Sequence, residues 1–379
     1  MMETLFATRS SIGRPLRLSD KLWRINWPLL LTASLLAGIG TATLYSVSGG
    51  SFQPWAERHT LRFLIMLGIV VAMALVRLDV WIKLAYPAYL AALVMLALVP
   101  FIGSEALGAK RWIDAGPISF QPSELMKLAL VAALARFYFQ LPPEKVGKPL
   151  FVVLPLLIIG VPVLLTMQQP DLGSAALFVA LGLSLMFLAG VPLRYFALGG
   201  LLALASLPVI WSGMHDYQKR RVEVFLNPGM DPLGAGYHIT QSKIALGAGG
   251  IAGKGYMQGT QSQLDFVPEK HTDFIASIIG EEWGFTGMLA LIAVYGLLIL
   301  MMMLMAQRCE NRFARLAIAG SAMTFFLYVF INLAMVTGLV PVVGIPLPLV
   351  SYGGTSMTTL MIGLGVAMSA YVHGRNGRA

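Results

Sequence analysis

Long apolar runs recur along the whole 379-residue chain and constrain its fold more than any other feature. Most of these runs hold roughly 16 to 22 residues, and all are long enough or nearly so to cross a hydrocarbon core of about 30 Å as a helix. Only 12% of the residues are charged, about half the share usual in soluble domains. We therefore predict an all-α polytopic membrane protein with about ten transmembrane helices. The predicted spans are 26–47, 61–77, 81–103, 122–140, 150–167, 172–190, 194–212, 273–305, 316–337 and 348–372.

The net charge of +9 is distributed unevenly. Basic residues cluster before the first predicted span and in alternate connections, which the positive-inside rule assigns to the cytoplasm. Both termini are then cytoplasmic, and a large extracytoplasmic loop, 214–272, separates helices 7 and 8. The pattern argues against nucleic acid as a partner. The basic positions are Arg9, Arg14, Arg17, Lys21, Arg24, Arg77, Lys83, Arg136, Lys145, Lys148, Arg194, Arg308, Arg312, Arg315, Arg375 and Arg378.

The chain shows no internal repeat and no linker, which predicts a cytoplasmic tail over 1–25 and a single transmembrane domain over 26–379. The first apolar run lacks a small-residue cleavage pattern, so we interpret it as a retained span. The single Cys309 excludes a disulfide framework.

Polar residues gather at the predicted outward side. The Gly and Pro spacing between spans three and four predicts a re-entrant or surface-lying element rather than a span. Glu124 and Lys127 follow on one helix face, either as a structural ion pair or as the wall of a water-filled cavity. Outward cations that the charge rule does not explain suggest an anionic ligand. They are Arg58, Lys110, Arg111, Arg220, Lys243 and Lys254.

Several carboxylates lie near predicted span starts or inside a span. Asp171 follows a proline and is either the N-cap of span six or a site residue. Thr272 or Asp273 caps span eight, or Asp273 is held ionised at the positive end of the helix dipole and faces water. Glu281 and Glu282 lie deeper in the same helix, where carboxylates are functional or paired.

Two glycine-rich segments flank this region. The segment 247–255 does not match a phosphate-binding loop, because Ala248 and Gly255 occupy positions where that motif requires Gly and Ser or Thr. The Gly- and Pro-rich loop from Gly338 to Ser356 is predicted to close over the polar site, since irregular backbone at that depth is tolerated where it lines a cavity.

Taken together, the motifs resemble the SEDS family of bacterial shape, division and sporulation proteins. The matching motifs are G-A-K-R-W-I from Gly108, F-Q-P-S-E-L-M-K from Phe120, Q-Q-P-D-L-G from Gln168, G-x-G-Y-H-I-x-Q-S-K from Gly234, K-G-Y-x-x-G-T-Q-S-Q-L-x-F-V-P-E-K-H-T-D-F-I from Lys254, and I-P-L-P-L-V-S-Y-G-G-T-S from Ile345. The resemblance covers nearly the whole chain after the tail. The G-T-Q-S-Q-L run is similar to the elongation type rather than the division type.

The resemblance implies a ten-span glycosyltransferase of the bacterial inner membrane whose active site faces the periplasm. Such an enzyme polymerises lipid II into glycan strands during cell elongation. It also implies partnership with a class B penicillin-binding protein, penicillin-binding protein 2, and with other elongation complex proteins, among membrane lipids. The essential aspartate of the family falls at Asp273. Its cavity residues fall at Arg58, Arg111, Glu124, Lys127, Asp171 and Lys243, and the same motifs add Lys110, Gln169, His271, Ser351 and Tyr352 as candidate substrate-binding residues.

In the expected reaction, Asp273 is the general base that takes the proton from the attacking 4-hydroxyl of a lipid II acceptor. A carboxylate of ordinary pKa is a modest base, so tuning by its neighbours matters. Arg111, Lys127 and Lys243 would hold the pyrophosphate. No cofactor is required; a divalent cation, Mg²⁺ or Mn²⁺, could share that task, although no ligand spacing indicates it. Direct displacement inverts the anomeric carbon. The alternatives are a lipid II flippase, which Glu281 and Glu282 would suit, and a non-catalytic scaffold.

Overall fold

The computed structural model describes residues 17–106, 109–115, 118–169, 171–214, 216–231 and 234–374. Within these ranges the chain is mostly helical. The helices are α1 (Leu18–Arg24), α2 (Trp27–Val47), α3 (Trp55–Ala74), α4 (Leu78–Ile102), α5 (Pro122–Gln140), α6 (Pro149–Met167), α7 (Leu172–Leu188), α8 (Leu193–Gly213), α9 (Asp216–Leu226), α10 (Ala235–Ala248), α11 (Thr260–Gln263), α12 (Ile275–Gln307), α13 (Arg312–Val336) and α14 (Gly354–Gly374). Residues 1–16 of the predicted tail, Pro170, Arg375 and Arg378 lie outside the described residues.

Each predicted span coincides with one helix, in order α2 to α8 and α12 to α14. Six of the described helices, α2, α4, α6, α12, α13 and α14, are long and apolar enough to cross a membrane by length and composition. The two largest differences from the predicted boundaries lie at the starts of α3 and α14. Helix α3 begins at Trp55, before the predicted start at residue 61. The prediction missed its first turns because they carry charged residues, which a search for apolar runs excludes. Helix α14 begins only at Gly354, since Leu349 has a φ of 63° that no helix accommodates.

A small antiparallel sheet between α4 and α5 corrects the all-α prediction. Its strands are β1 (Ser104–Ala106), β2 (Ala109–Ala115) and β3 (Ile118–Phe120), in the order β1-β2-β3. Trp112 pairs with Ser104, and Ile113 pairs with Phe120. Strands β1 and β3 have three residues each, too few to show the two-residue period by which a strand is recognised, and the seven residues of β2 do not alternate strictly between apolar and polar.

Helix α12 is broken at Gly284, whose φ of 66° and ψ of −163° are not helical. The segment before α11 fills the break: Phe285 N–H donates to the Gly250 carbonyl at 2.9 Å, and Lys254 N–H donates to the Glu281 carbonyl at 3.0 Å. These bonds replace those that the broken turn cannot make within the helix. The segment before α11 is therefore hydrogen-bonded directly to the backbone of α12.

Residues 338–353, which we call the closing loop, join α13 to α14 without regular structure. Much of the loop is buried, so its polar backbone needs partners within the protein. The Tyr295 hydroxyl of α12 donates to the Pro348 carbonyl at 2.5 Å. A Cβ at Gly40 of α2 would lie 2.6 Å from the Val350 carbonyl oxygen, so α2 packs directly on the loop.

Helix α13 is central, in contact with α5, α7, α12 and α14. The first and last parts of the chain pack together, since α3 lies along α14 and α2 lies against α12. The closing loop and the residues before α12 therefore meet at one end of the bundle, beside the start of α3.

Candidate active site

Asp273 lies immediately before α12 and is partly buried. The prediction that Thr272 or Asp273 caps this helix is wrong, because the N-cap is Phe274 and no side chain caps the helix. The Asp273 carboxylate makes no hydrogen bond or ion pair with any residue that the structure describes. Burial, and then the like charge of Glu269, raises the pKa of Asp273 to about 7. An unengaged acid that titrates near neutrality is suited to general-base catalysis.

The closing loop passes directly beside this carboxylate. Gly344 has a φ of 70°, and a Cβ there would lie 3.3 Å from Asp273 Oδ2. On the other side of the loop, the Asn332 amide of α13 donates to the Asp273 carbonyl at 2.8 Å and to the Ile345 carbonyl at 2.7 Å. These contacts put the closing loop at the border of the Asp273 site; that the loop closes over the site stays a prediction.

An aromatic cluster borders the site on the side of α3. The His271 ring stacks on Trp55 with centroids 4.1 Å apart, and Tyr352 meets Trp55 edge-on at 4.8 Å. Tyr352 N–H donates to the His271 carbonyl at 2.9 Å, and the Arg62 guanidinium lies 5.5 Å from the Tyr352 ring centroid. Burial lowers the pKa of His271, so the ring is neutral at pH 7. The cluster offers flat apolar faces and one cation beside Asp273.

Asp171 reaches the same loop from the start of α7. It is the N-cap of α7, as one of the two sequence interpretations proposed, accepting from Ser174 N–H at 3.1 Å and from the Gln121 amide at 3.3 Å. A Cβ at Gly173 would lie 2.9 Å from the Val343 carbonyl oxygen. Because Val343 and Gly344 are consecutive, two adjacent residues of the closing loop lie against the turn of Asp171 and beside the carboxylate of Asp273.

Glu124 and Lys127 form a buried ion pair on one face of α5, the first of the two predicted alternatives. The Lys127 ammonium donates to Glu124 at 2.6 Å and to the Tyr328 hydroxyl at 2.6 Å, and that hydroxyl donates to the other Glu124 oxygen at 2.5 Å. The closed triangle neutralises both charges. Lys127 is thus already paired with a carboxylate and is not a free cation for pyrophosphate.

The remaining predicted cations differ in their surroundings. Lys243 is exposed, and its Nζ lies 2.6 Å from the position of a Cβ at Gly338, the first residue of the closing loop. Arg111 is half-buried and donates to the Gln169 carbonyl at 3.4 Å. Arg58 and Lys110 are exposed and have no hydrogen-bonded or ionic partner among the described residues. No described contact brings either of them to Asp273.

Gln169 and Ser351 point into the protein rather than toward an open site. The buried Gln169 amide donates to the Leu96 carbonyl at 2.6 Å, which fixes the end of α6 against α4. The buried Ser351 hydroxyl accepts from Leu347 N–H at 2.8 Å and shapes the closing loop. Their predicted substrate contacts stay predictions.

Only one of the two acids inside α12 forms an ion pair. Glu281 is fully buried and accepts from the Lys254 ammonium at 2.6 Å and from Gln261 N–H at 3.0 Å. Glu282 accepts from the Ser46 hydroxyl of α2, and its other oxygen is buried without a partner among the described residues. Glu281 therefore ties the connection before α12 to that helix, and Glu282 ties α12 to α2.

A protein-held metal site is not indicated. Among the described residues, no group of three or more His, Cys, Asp or Glu side chains is arranged to hold a metal ion. The contribution of Mg²⁺ or Mn²⁺ stays a prediction, because such an ion is often held by one or two carboxylates together with the phosphates of the substrate. No step of the reaction is assigned to it.

Sequence reasoning missed several residues that shape the site: Trp55, Arg62, Gln121, Tyr328 and Asn332. Tyr328 and Asn332 are polar groups inside the predicted span 316–337, and a polar side chain at that depth is itself a signal of a buried partner. Arg62 lies one helical turn after Arg58 and could have been found as the second cation on that face. Trp55 carried no signal, because its partners are far away in sequence.

The fold and the site together define a polytopic helical membrane protein with an unengaged acid, aromatic side chains and cations at one end of the bundle. The chain belongs to the SEDS family, here the family model of FtsW, RodA and SpoVE described as cell cycle protein, which matches residues 26–376. The resemblance inferred from the motifs is thereby confirmed.

Curated relatives share most of the chain. It is 42% identical to the peptidoglycan glycosyltransferase MrdB of Escherichia coli K12, over 91% of this chain and 92% of the relative. It is 37% identical to the probable peptidoglycan glycosyltransferase FtsW of Geobacter sp. strain M18, over 90% of this chain and 95% of the relative.

Two solved structures are similar throughout. A chain from a study of how a peptidoglycan synthase complex coordinates polymerization and crosslinking has a TM-score of 0.79 and 32% identity, covering 92% of this chain and 97% of that one. The crystal structure of the rod shape determining protein RodA of Thermus thermophilus has a TM-score of 0.70 and 29% identity, covering 93% of this chain and 98% of that one.

Proposed function

We propose that this chain is a peptidoglycan glycosyltransferase that polymerises lipid II during cell elongation. The observation that carries the proposal is the unengaged Asp273 carboxylate, with its pKa raised to about 7, at the meeting point of the closing loop and the aromatic cluster. The names of the curated relatives support the reaction class.

The reaction needs one base. The 4-hydroxyl of the acceptor sugar attacks the anomeric carbon of the donor, Asp273 takes the hydroxyl proton, and the bond to the lipid pyrophosphate breaks with its electrons leaving on the pyrophosphate. The configuration inverts, because attack and departure occur on opposite faces. We assign the neutralisation of the departing charge to Lys243, Arg111 and Arg62, which are half-buried or exposed; Arg111 also donates to the Gln169 carbonyl. Lys127 instead keeps Glu124 neutralised within the wall.

The proposed setting is the bacterial inner membrane. We place ten spans, α2 to α8 and α12 to α14, with both termini cytoplasmic and the 214–272 loop in the periplasm, following the charge distribution along the chain. Asp273 then faces the periplasm, where the lipid II headgroup is presented. Residues 26–379 form one transmembrane domain after the tail 1–25.

The proposed protein partner is a class B penicillin-binding protein, penicillin-binding protein 2, with other elongation complex proteins around it. Support comes from the similarity to a chain studied within a peptidoglycan synthase complex. A polymerase and a transpeptidase held together deliver each new strand directly to crosslinking.

The test uses the purified full-length protein in lipid nanodiscs with lipid II as the only substrate. We expect glycan polymer from the wild type and none from Asp273→Asn, which keeps the shape of the side chain but removes the base. Asp265→Asn is the matched control, because Asp265 lies in the same connection with its side chain 82% exposed, and its ion pair is with Lys270 rather than with any group of the site. We expect it to polymerise normally.

Three outcomes contradict the proposal. The wild type forms no polymer, Asp273→Asn retains full activity, or the product retains the anomeric configuration of the donor. Retention would indicate a covalent intermediate rather than a base.

The flippase alternative loses part of its support. It rested on intramembrane acids, of which Glu281 is paired with Lys254, whereas Glu282 accepts from Ser46 and keeps its other oxygen without a partner among the described residues. A scaffold without catalysis would not require an unengaged acid at position 273. Loss of polymer with Asp273→Asn therefore also separates catalysis from both alternatives.

A further inference from the structure

The side chain of Asn332 occupies an unusual position for a polar group. It lies in α13, fully buried, within a stretch that is otherwise apolar. Its Nδ2 donates both hydrogens to backbone carbonyls, that of Asp273 at 2.8 Å and that of Ile345 at 2.7 Å. Its Oδ1 is buried without a hydrogen-bonding partner among the described residues.

The two acceptors determine which way the amide faces. Turning it over would set Oδ1 against two carbonyl oxygens, so the observed orientation is the only one that makes hydrogen bonds. A buried oxygen left without a partner costs about 1–3 kcal/mol. Asn332 thus makes two hydrogen bonds through Nδ2 while its Oδ1 stays without a partner among the described residues. An apolar side chain would avoid the cost of the buried oxygen if this residue served only for packing.

The two bonded carbonyls belong to the segment that carries the proposed base and to the loop beside it, whose relative position matters for the reaction. Asp273 carries the carboxylate, and Ile345 follows Gly344, whose turn lies beside Asp273 Oδ2. Val343, which precedes Gly344, lies against the turn of Asp171. A single amide therefore couples the backbone of the base to the loop that borders it.

We infer that Asn332 is a positioning residue for Asp273, holding the carboxylate at a fixed distance from the closing loop without touching substrate. The inference rests on the proposed function. Because Asn332 acts on geometry and not on substrate contacts, its loss lowers kcat and leaves KM for lipid II nearly unchanged.

The experiment compares Asn332→Asp and Asn332→Leu with the wild type in nanodiscs. Aspartate has nearly the size of asparagine, leucine has its branched shape with a larger volume, and neither offers the two amide donors. A displacement of about 1 Å at a reacting group costs up to about 100-fold in rate, so we expect kcat to fall about 10- to 100-fold with KM changed less than about 3-fold.

Ser242→Ala is the matched control. Ser242 is also fully buried, and its hydroxyl donates to a carbonyl of α13, that of Val336, at 2.7 Å. It does not contact Asp273 or the closing loop in the described contacts. We expect its kcat to stay within about 2-fold of the wild type while its thermal unfolding midpoint falls as much as that of the Asn332 variants.

Amide hydrogen exchange supplies a second measurement. We expect faster exchange in residues 269–275 and 343–346 of the Asn332 variants and not of Ser242→Ala. The inference is overturned if kcat of the folded Asn332 variants falls no more than that of Ser242→Ala, or if KM rises while kcat holds. It is also overturned if both variants fail to fold, since Asn332 would then be needed for the fold alone. An inactive wild type would instead refute the proposed function.

Discussion

At the scale of single residues, Asp273 shows how the site departs from what stability alone would favour. Its pKa rises from 3.8 to about 7 because burial disfavours the charged form. The folded protein therefore holds the proton more tightly than the unfolded chain, and stability falls as pH increases through that interval. Above about pH 7 the fold carries an ionised, unengaged acid, a cost compatible with a functional position.

Glu269→Gln tests the second cause of this shift. Removing the like charge lowers the pKa of Asp273, so the base is ionised at lower pH and the acid limb of kcat against pH moves downward from about pH 7. The measurement is the rate of lipid II polymerisation across the pH range. Asp265→Asn, which removes an exposed acid from the same connection, should leave the limb in place. An unchanged limb in Glu269→Gln would show that the charge of Glu269 does not reach Asp273.

At the scale of elements, the break in α12 joins a span to the connection before it. Gly284 adopts a conformation open essentially only to glycine, and a Cβ there would lie 2.3 Å from the Gly253 nitrogen. The fully buried Glu281 holds Lys254 beside the same break. The connection 249–263 is therefore part of the helix packing rather than a loose loop.

Gly284→Ala should lower the free energy of unfolding by at least about 1–3 kcal/mol, because it combines backbone strain with a steric clash. Gly296→Ala, in the same helix with no atom within 4 Å of the new Cβ, should be neutral or stabilising. Thermal unfolding midpoints in one detergent make the comparison. Equal midpoints for the two variants would show that the break is not a requirement of the fold.

At the scale of the whole molecule, the sequence predicted the helices well and the site only in part. Span length and apolar composition are local properties, so helix positions follow from them. The cluster of Trp55, His271 and Tyr352 forms between segments that are far apart in sequence, and the hydrophobic periodicity of the sequence does not predict which segments meet. The same holds for the short sheet and for Asn332, whose two partners lie on other segments. The family motifs supplied Asp273 and Asp171, whereas the approach of Arg62 to the Tyr352 ring depends on the fold.

The proposed topology can be tested by cysteine labelling. Cys309 is buried and is the single cysteine of the chain, so it gives little background. A membrane-impermeant maleimide added to spheroplasts should label Asn227→Cys, which is exposed in the large connection, at once. Glu144→Cys, exposed between α5 and α6, should react only after the membrane is opened. Labelling in the reverse order would invert the proposed orientation.

The packing of α3 along α14 has a consequence for biosynthesis. Helix α3 carries Arg58, His59 and Arg62, and the fully buried His59 is enclosed only when the chain's last segments are in place. In the proposed topology α3 spans the bilayer, so until α14 is translated its polar groups lie where lipid does not solvate them. We therefore expect chains that stop short of Gly354 to be degraded faster than the full-length protein.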